Sequence, residues 1–452
     1  MIYAVSIAKG GDAVKRCLQK YILLLTGLLL AALLSGCTVF DSSVEQLFTL
    51  PRMAPEYTGL SQQLDSLIAQ GYEYASPSGG RNIQSVQMVD LEDDGRQEAL
   101  VFLRRTADER PLKIMVFRLD STDSYRLYCT VESSGSAVDS VYYQDLNGDG
   151  RRELIVGWRI SADVQTLAAY SIEPEPVALM SCSYSRFSIQ DLNSDGVPSL
   201  LVLRTDGELG PVAEFYGWQD EQMGVSYRCR LSSSMAALNR GSVVTGLVDK
   251  ETPAVFITGV DATSMAVTDI LIYRQEAGLV NVAMDKNSGV SAAVYPFRQL
   301  SPQDIDGDGL IELPCPLGDG PAEQTDGLVS WMSWKSDGRF EQSVKTYHSL
   351  SAGWYFTIPQ SWWDWDVDAI TAGIQNESQM TLRINGDSVL SIYTITGENR
   401  ESRSRIGDRL VLRRQTTTVY AGEVYEIAPY YGMDEELLRR SFNLILGSWN
   451  NS

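Results

Sequence analysis

One short acidic pattern returns along the chain at nearly constant intervals, and it limits the fold more than any other feature. It reads VDLEDDGRQEALVFL from Val89, QDLNGDGRRELIVGW from Gln144, QDLNSDGVPSLLVLR from Gln190 and QDIDGDGLIELPCPL from Gln303. A worn copy, LVDKETPAVFITG, begins at Leu247. The first aspartates, Asp90, Asp145, Asp191, Asp249 and Asp304, stand 55, 46, 58 and 55 residues apart. After the first acidic turn come ALVFLRR, LKIMVFRL and SYRLYCTVE, β-branched and aromatic runs separated by polar residues, which is the pattern of strands.

A period of about 45 to 60 residues is that of a four-stranded blade and exceeds most helical repeats. The fold expected is therefore mainly β: a β-propeller of about five four-stranded blades over residues 81–346, followed by a small α+β domain over 347–452. A strand from 45–80, or one beyond 340, could close the ring or add part of a sixth blade. Within 37–80, SQQLDSLIAQG carries helical spacing of apolar residues.

The acidic pattern is D-x-[DEN]-x-D-G-x-x-E. Calcium takes six to eight hard oxygens, here available from side chains at positions 1, 3, 5 and 9 and a backbone carbonyl at position 7. The glycine at position 6 lets the chain turn where a Cβ would clash. An EF-hand closes its loop with glutamate at position 12 and flanks it with helices, which does not fit a loop leading into a strand; dockerin modules fail for the same reason.

The recurring loop resembles the FG-GAP and VCBS repeats of integrin-like β-propellers, over roughly residues 80–348. The resemblance implies calcium in a loop between adjacent strands of a blade. The implied ligands are Asp90, Glu92, Asp94 and Glu98 in the first loop and Asp145, Asn147, Asp149 and Glu153 in the second. The third retains Asp191, Asn193 and Asp195 but has Ser199 in place of the last carboxylate, so it should bind weakly or not at all. The fourth, with Lys250 and Thr252 inside it, should hold no metal, and the fifth offers Asp304, Asp306, Asp308 and Glu312. The ion's expected role is structural, since clustered carboxylates repel one another until a cation joins the strands they come from.

At the N-terminus a basic stretch ending at Lys20 precedes YILLLTGLLLAALL and then Leu34-Ser35-Gly36-Cys37. The apolar run is too short, and too closely followed by small residues, for a permanent span. It resembles the bacterial lipobox, which implies a signal peptide over 1–36, diacylation of Cys37 and attachment to the extracytoplasmic face of a cell membrane.

Beyond Tyr347 the acidic loops stop. GWYFTIPQSWWDWDV is followed by MTLRI, SVLSIYTIT and RLVLRRQTTTVYAGEVYEI, and DEELLRRSFNLILGSW reads as a terminal amphipathic helix with Leu437, Leu438, Phe442, Ile445, Leu446 and Trp449 on its apolar face. This arrangement resembles the sheet-and-helix domains of the PsbP kind. Trp354, Trp362, Trp363 and Trp365 read first as packing residues, with Trp363 and Trp365 the candidates for contact with a ligand such as a sugar.

The chain holds 37 Lys+Arg against 58 Asp+Glu, a formal charge of −21 that opposes nucleic acid and anionic lipid as direct partners. Cys129, Cys182 and Cys229 fall at similar places in successive repeats and, with Cys315, read as small buried apolar residues; a disulfide stays open. A single histidine, His348, removes most Ser-His and Cys-His schemes, and no GxSxG, HExxH or phosphate loop occurs. The expectation is a non-catalytic binding scaffold for a protein or glycan partner. A surface glycan hydrolase or lyase, and an envelope assembly partner, are the alternatives.

Overall fold

A computed structural model describes residues 55–219, 222–317, 326–335 and 338–445; the leader and Cys37 lie outside them. The chain divides into two compact units, one comprising residues up to 69 with 120–125 and the other comprising 70–119 and 126 onward. In the smaller unit the helix read from SQQLDSLIAQG spans Pro55–Ala69, where Tyr57 stacks on Tyr125 and Gln63 Nε2 donates to the Tyr125 carbonyl at 2.5 Å.

The larger unit is mainly β, built from antiparallel sheets that follow one another along the chain. The second sheet is an uninterrupted meander of Ala137–Gln144, Glu153–Arg159, Gln165–Ser171 and Val177–Tyr184. The third repeats it with Arg186–Gln190, Ser199–Asp206, Gly210–Gln219 and Gln222–Arg230. The first and fourth have the same four-strand path plus one short extra strand each.

Each sheet's second strand reads as a continuous apolar run because it is covered on both faces. In Glu153–Arg159, Leu154, Val156 and Trp158 pack toward the first sheet, while Ile155 packs toward the third. In Ser199–Asp206, Leu200 and Val202 face back and Leu201 and Leu203 face forward, and in Pro253–Val260 the forward pair is Ala254 and Phe256. The period-two alternation of a strand thus feeds one core on either side. Leu313 and Trp334 carry the series on to the fifth sheet.

The boundary expected at residue 347 falls inside a strand of that fifth sheet, Phe340–Ser349, which continues to Trp354–Thr357. A sixth sheet follows, from Val367–Ile374 to Thr418–Val424.

The terminal helix is shorter than its spacing suggested. It runs only Glu435–Ser441, capped by Asp434, whose side chain accepts from Leu437 N. Phe442–Leu444 is a strand that pairs with Trp354–Phe356 of the fifth sheet. Leu438 and Phe442 are fully buried as expected, but Phe442 reaches its core from a strand, against Trp354 and Tyr420. Tertiary pairing with an available sheet edge outweighs helical periodicity here. Among the described residues no helix is long and apolar enough to cross a membrane.

Candidate metal centre

The first four acidic repeats each connect two paired strands of one sheet, and the fifth connects Gln303 to Glu312 immediately ahead of Leu313–Pro316 in the fifth sheet. The residues that close each loop are paired across it: Val89 with Glu98, Gln144 with Glu153, Gln190 with Ser199, Gln303 with Glu312.

Inside the loop the same bonds recur. The first aspartate accepts from the position-6 glycine: Gly95 N to Asp90 at 2.9 Å, Gly150 N to Asp145 at 2.9 Å, Gly196 N to Asp191 at 2.8 Å, Gly309 N to Asp304 at 3.0 Å. These glycines have φ between +83° and +89°, a left-handed turn that explains why position 6 is never another residue. The aspartate at position 5 accepts from position 7 in all four loops, Asp94 from Arg96, Asp149 from Arg151, Asp195 from Val197 and Asp308 from Leu310. Position 2 is a buried apolar anchor, Leu91, Leu146, Leu192 or Ile305, a regularity that the acidic residues had obscured in the sequence.

The closing glutamates are the unusual groups. Glu98, Glu153 and Glu312 are buried at 4%, 2% and 0% exposure, and each accepts from the backbone N–H of the apolar anchor, at 2.8, 2.7 and 3.2 Å. Burial raises all three carboxyls above their ordinary value, and the neighbouring loop carboxylates push them the same way. Glu153 and Glu312 are carried to about 7.

The loops differ in what balances that charge. In the first, Arg118 lies 3.1 Å from Glu92 and 3.7 Å from Glu98, with its guanidinium over the Tyr128 ring. Strand register explains this: Ala99 faces Phe117, so the next residues, Glu98 and Arg118, stand opposite. The same step places Ser171 opposite Glu153 and Ser333 opposite Glu312, and Ser333 Oγ lies 3.5 Å from the Glu312 carboxylate. The first loop therefore carries its own cation, which reading the loop without its third strand had missed.

In the second loop Asn147 donates to Asp149 at 3.1 Å, and in the third Asn193 donates to Asp195 at 2.7 Å. Asn193 Oδ1 is buried without a hydrogen-bond donor, an oxygen a cation would satisfy, although Ser199 removes the closing carboxylate. The fourth loop is shorter, closing from Leu247 to Pro253, and Asp249 is occupied by the N–H groups of Glu251 and Thr252 and by the Thr252 hydroxyl.

The fifth loop brings its donors together best. Oxygens of Asp304, Asp306 and Glu312 lie within 4.8 Å of one another, the one such group of three among the described residues. Burial, and repulsion from Asp308 and Asp304, raise Asp306 as well. Oxygen-only donors at that spacing suit a hard divalent cation.

The remaining candidates are placed otherwise. Cys129, Cys182, Cys229 and Cys315 are free thiols, and burial pushes Cys129 and Cys229 up to about 11. Trp354 and Trp362 are core residues, with indole N–H groups donating to Thr394 Oγ1 and to the Tyr431 carbonyl. Trp363 is partly buried and donates to the Ile358 carbonyl, whereas Trp365 is exposed and meets Tyr431 edge-on at 5.1 Å.

No protein-family model matches the chain, and no curated relative matches it. Among solved structures it is similar to MPT-4, a mannose phosphorylase from Leishmania mexicana, at 12% identity, covering 66% of this chain and 92% of that one, with a TM-score of 0.22. It is also similar to an exo-beta-1,3-galactanase from Phanerochaete chrysosporium at 10% identity, covering 75% and 81%, with a TM-score of 0.25. Likeness at that level carries no argument about fold or activity.

Proposed function

We propose that this chain is a non-catalytic, lipid-anchored extracytoplasmic scaffold, in which calcium stiffens a ring of about five β-blades that presents loops to a protein or glycan partner. The observation that carries the reading is the recurrence of one loop geometry closed by an antiparallel pair, each fully formed copy ending in a buried glutamate. A buried carboxylate is costly unless a cation or several donors meet it, and Glu153 and Glu312 lack an arginine like that of the first loop among the described residues. Calcium at these loops would supply the missing charge and tie two strands together. Support for the ring comes from the uninterrupted meanders and from cores that join each sheet to the next in chain order. Cys37 would hold the assembly to the membrane through its lipid.

The test is a calcium titration of the purified chain, by calorimetry and by thermal melting with and without chelator. Binding at the second and fifth loops, with a melting temperature raised by calcium and lowered by chelator, is expected. A melt indifferent to both would remove the structural-metal reading.

A further inference from the structure

Beside the second and third loops lies a cleft of about 380 Å³ whose aromatic wall no part of the scaffold reading uses. Its wall is aromatic: Phe215 and Tyr227 from the third sheet and Tyr273 from the fourth, with Trp218 at the edge. Trp218 and Tyr227 are 37% and 36% exposed, a large apolar area for a chain this polar to leave in water. The three inner rings touch one another, with centroids 5.6 to 6.3 Å apart. Tyr227 also lies so close to the Gly278 backbone that a Cβ there would fall 2.1 Å from the ring. The platform is therefore fixed in place before any ligand arrives. Around its rim stand Asn147, whose amide donates to Asp149, and Asn193, whose amide donates to the Asp195 carboxylate.

We infer that this cleft binds a short neutral saccharide, whose ring face stacks on the Tyr227 platform while its hydroxyls bond to the rim amides and Asp195. The three rings incline to one another by 35° to 73°, so the flat face on offer is that of the partly exposed Tyr227. Hydroxyls, which donate and accept, match carboxamides beside a carboxylate, and a chain of formal charge −21 disfavours an acidic glycan. The volume lies within the size range of small-molecule sites.

The test titrates the full chain with maltotriose, cellotriose and chitotriose, and with trigalacturonate and trilysine, by calorimetry. Binding of a neutral trisaccharide is expected, weakened about tenfold or more by Tyr227→Ala and little changed by Tyr227→Phe, because the ring face and not the hydroxyl makes the contact. Trp218→Ala, at an exposed position, reads the same face if Tyr227→Ala fails to fold. Failure of all three neutral probes to bind, a preference for trilysine, or neutral binding untouched by both alanine variants would overturn the assignment. Because Asn147, Asn193 and Asp195 also belong to the calcium loops, the saccharide titrations are run with calcium and with chelator, and a melt indifferent to calcium beside binding that Tyr227→Ala weakens would sink the calcium reading alone.

Discussion

Replacing Glu312 by glutamine should change the stability of this protein in opposite directions in two buffers. The carboxyl is fully buried, and burial with three neighbouring aspartates raises it from its ordinary 4.5 to about 7. A carboxyl raised in the folded state binds its proton more tightly there than in the unfolded chain. Its favourable contribution is complete below about pH 4.5 and is lost as pH rises through about 7. At pH 8 without metal the ionised group should therefore cost roughly 3 kcal/mol, at about 1.36 kcal/mol for each pH unit of displacement. Glutamine removes that charge and still offers an oxygen to the Ile305 N–H, which Glu312 accepts at 3.2 Å.

In chelator at pH 8, Glu312→Gln should thus be more stable than the parent, by up to about 3 kcal/mol. In calcium at saturation the order should reverse, because the parent alone gains from a complete ligand set; a site at a thousand times its dissociation constant contributes about 4.1 kcal/mol. Urea unfolding at pH 8 and pH 5, each with calcium and with chelator, gives the four comparisons. At pH 5 in chelator the advantage of the variant should shrink, since the parent carboxyl is then mostly protonated. Equal destabilisation by the variant in every buffer would refute the reasoning and leave Glu312 an ordinary hydrogen-bond acceptor.

Four further outcomes follow from named contacts. Arg118→Met should raise calcium affinity at the first loop by freeing Glu92 and Glu98, read as an added site in calorimetry; an unchanged stoichiometry would mean the arginine does not compete there. Glu214→Gln should cost about 3 kcal/mol in urea, because Arg204 and Arg228 converge on this fully buried carboxylate and would lose their counter-charge; a change below 1 kcal/mol would contradict that. Burial pushes His348 down to about 3, so folding stability should fall as pH drops from about 6.5 toward 3, by up to roughly 5 kcal/mol, and His348→Phe should abolish that part of the acid loss in paired pH melts. Phe442→Ala should destabilise by about 3–5 kcal/mol, since the ring packs on Trp354 and Tyr420 at the strand that returns to the fifth sheet; a near-neutral effect would mean the return strand is dispensable.

Much of this was legible in the sequence because the informative signals were local. A loop of fixed length with glycine at φ near +85° writes itself into consecutive residues, and the apolar runs after Glu98, Glu153 and Ser199 announce strands covered on both faces. The signals that failed were those decided at a distance. Arg118 is unremarkable at the end of LKIMVFRL until strand register sets it opposite Glu98. Phe442 keeps helical spacing with Leu438, yet the free edge of Trp354–Thr357 captures it as a strand.

The same distinction separates the acidic loops from one another. The first, second and fifth read alike in the sequence, whereas the residue opposite the closing glutamate makes them chemically unlike: arginine in the first, serine in the second and fifth. An arginine can hold two strands together at any calcium concentration, but a buried glutamate facing serine does so only when an ion arrives. On the proposed calcium reading, a chain that combines both would have one cross-strand clamp that is permanent and others that respond to calcium. Its sheets should then loosen on chelation from the second and fifth outward, with the first protected longest. Hydrogen exchange followed during chelator addition reads that order directly, and uniform loosening of all the sheets would argue against clamps that differ in kind.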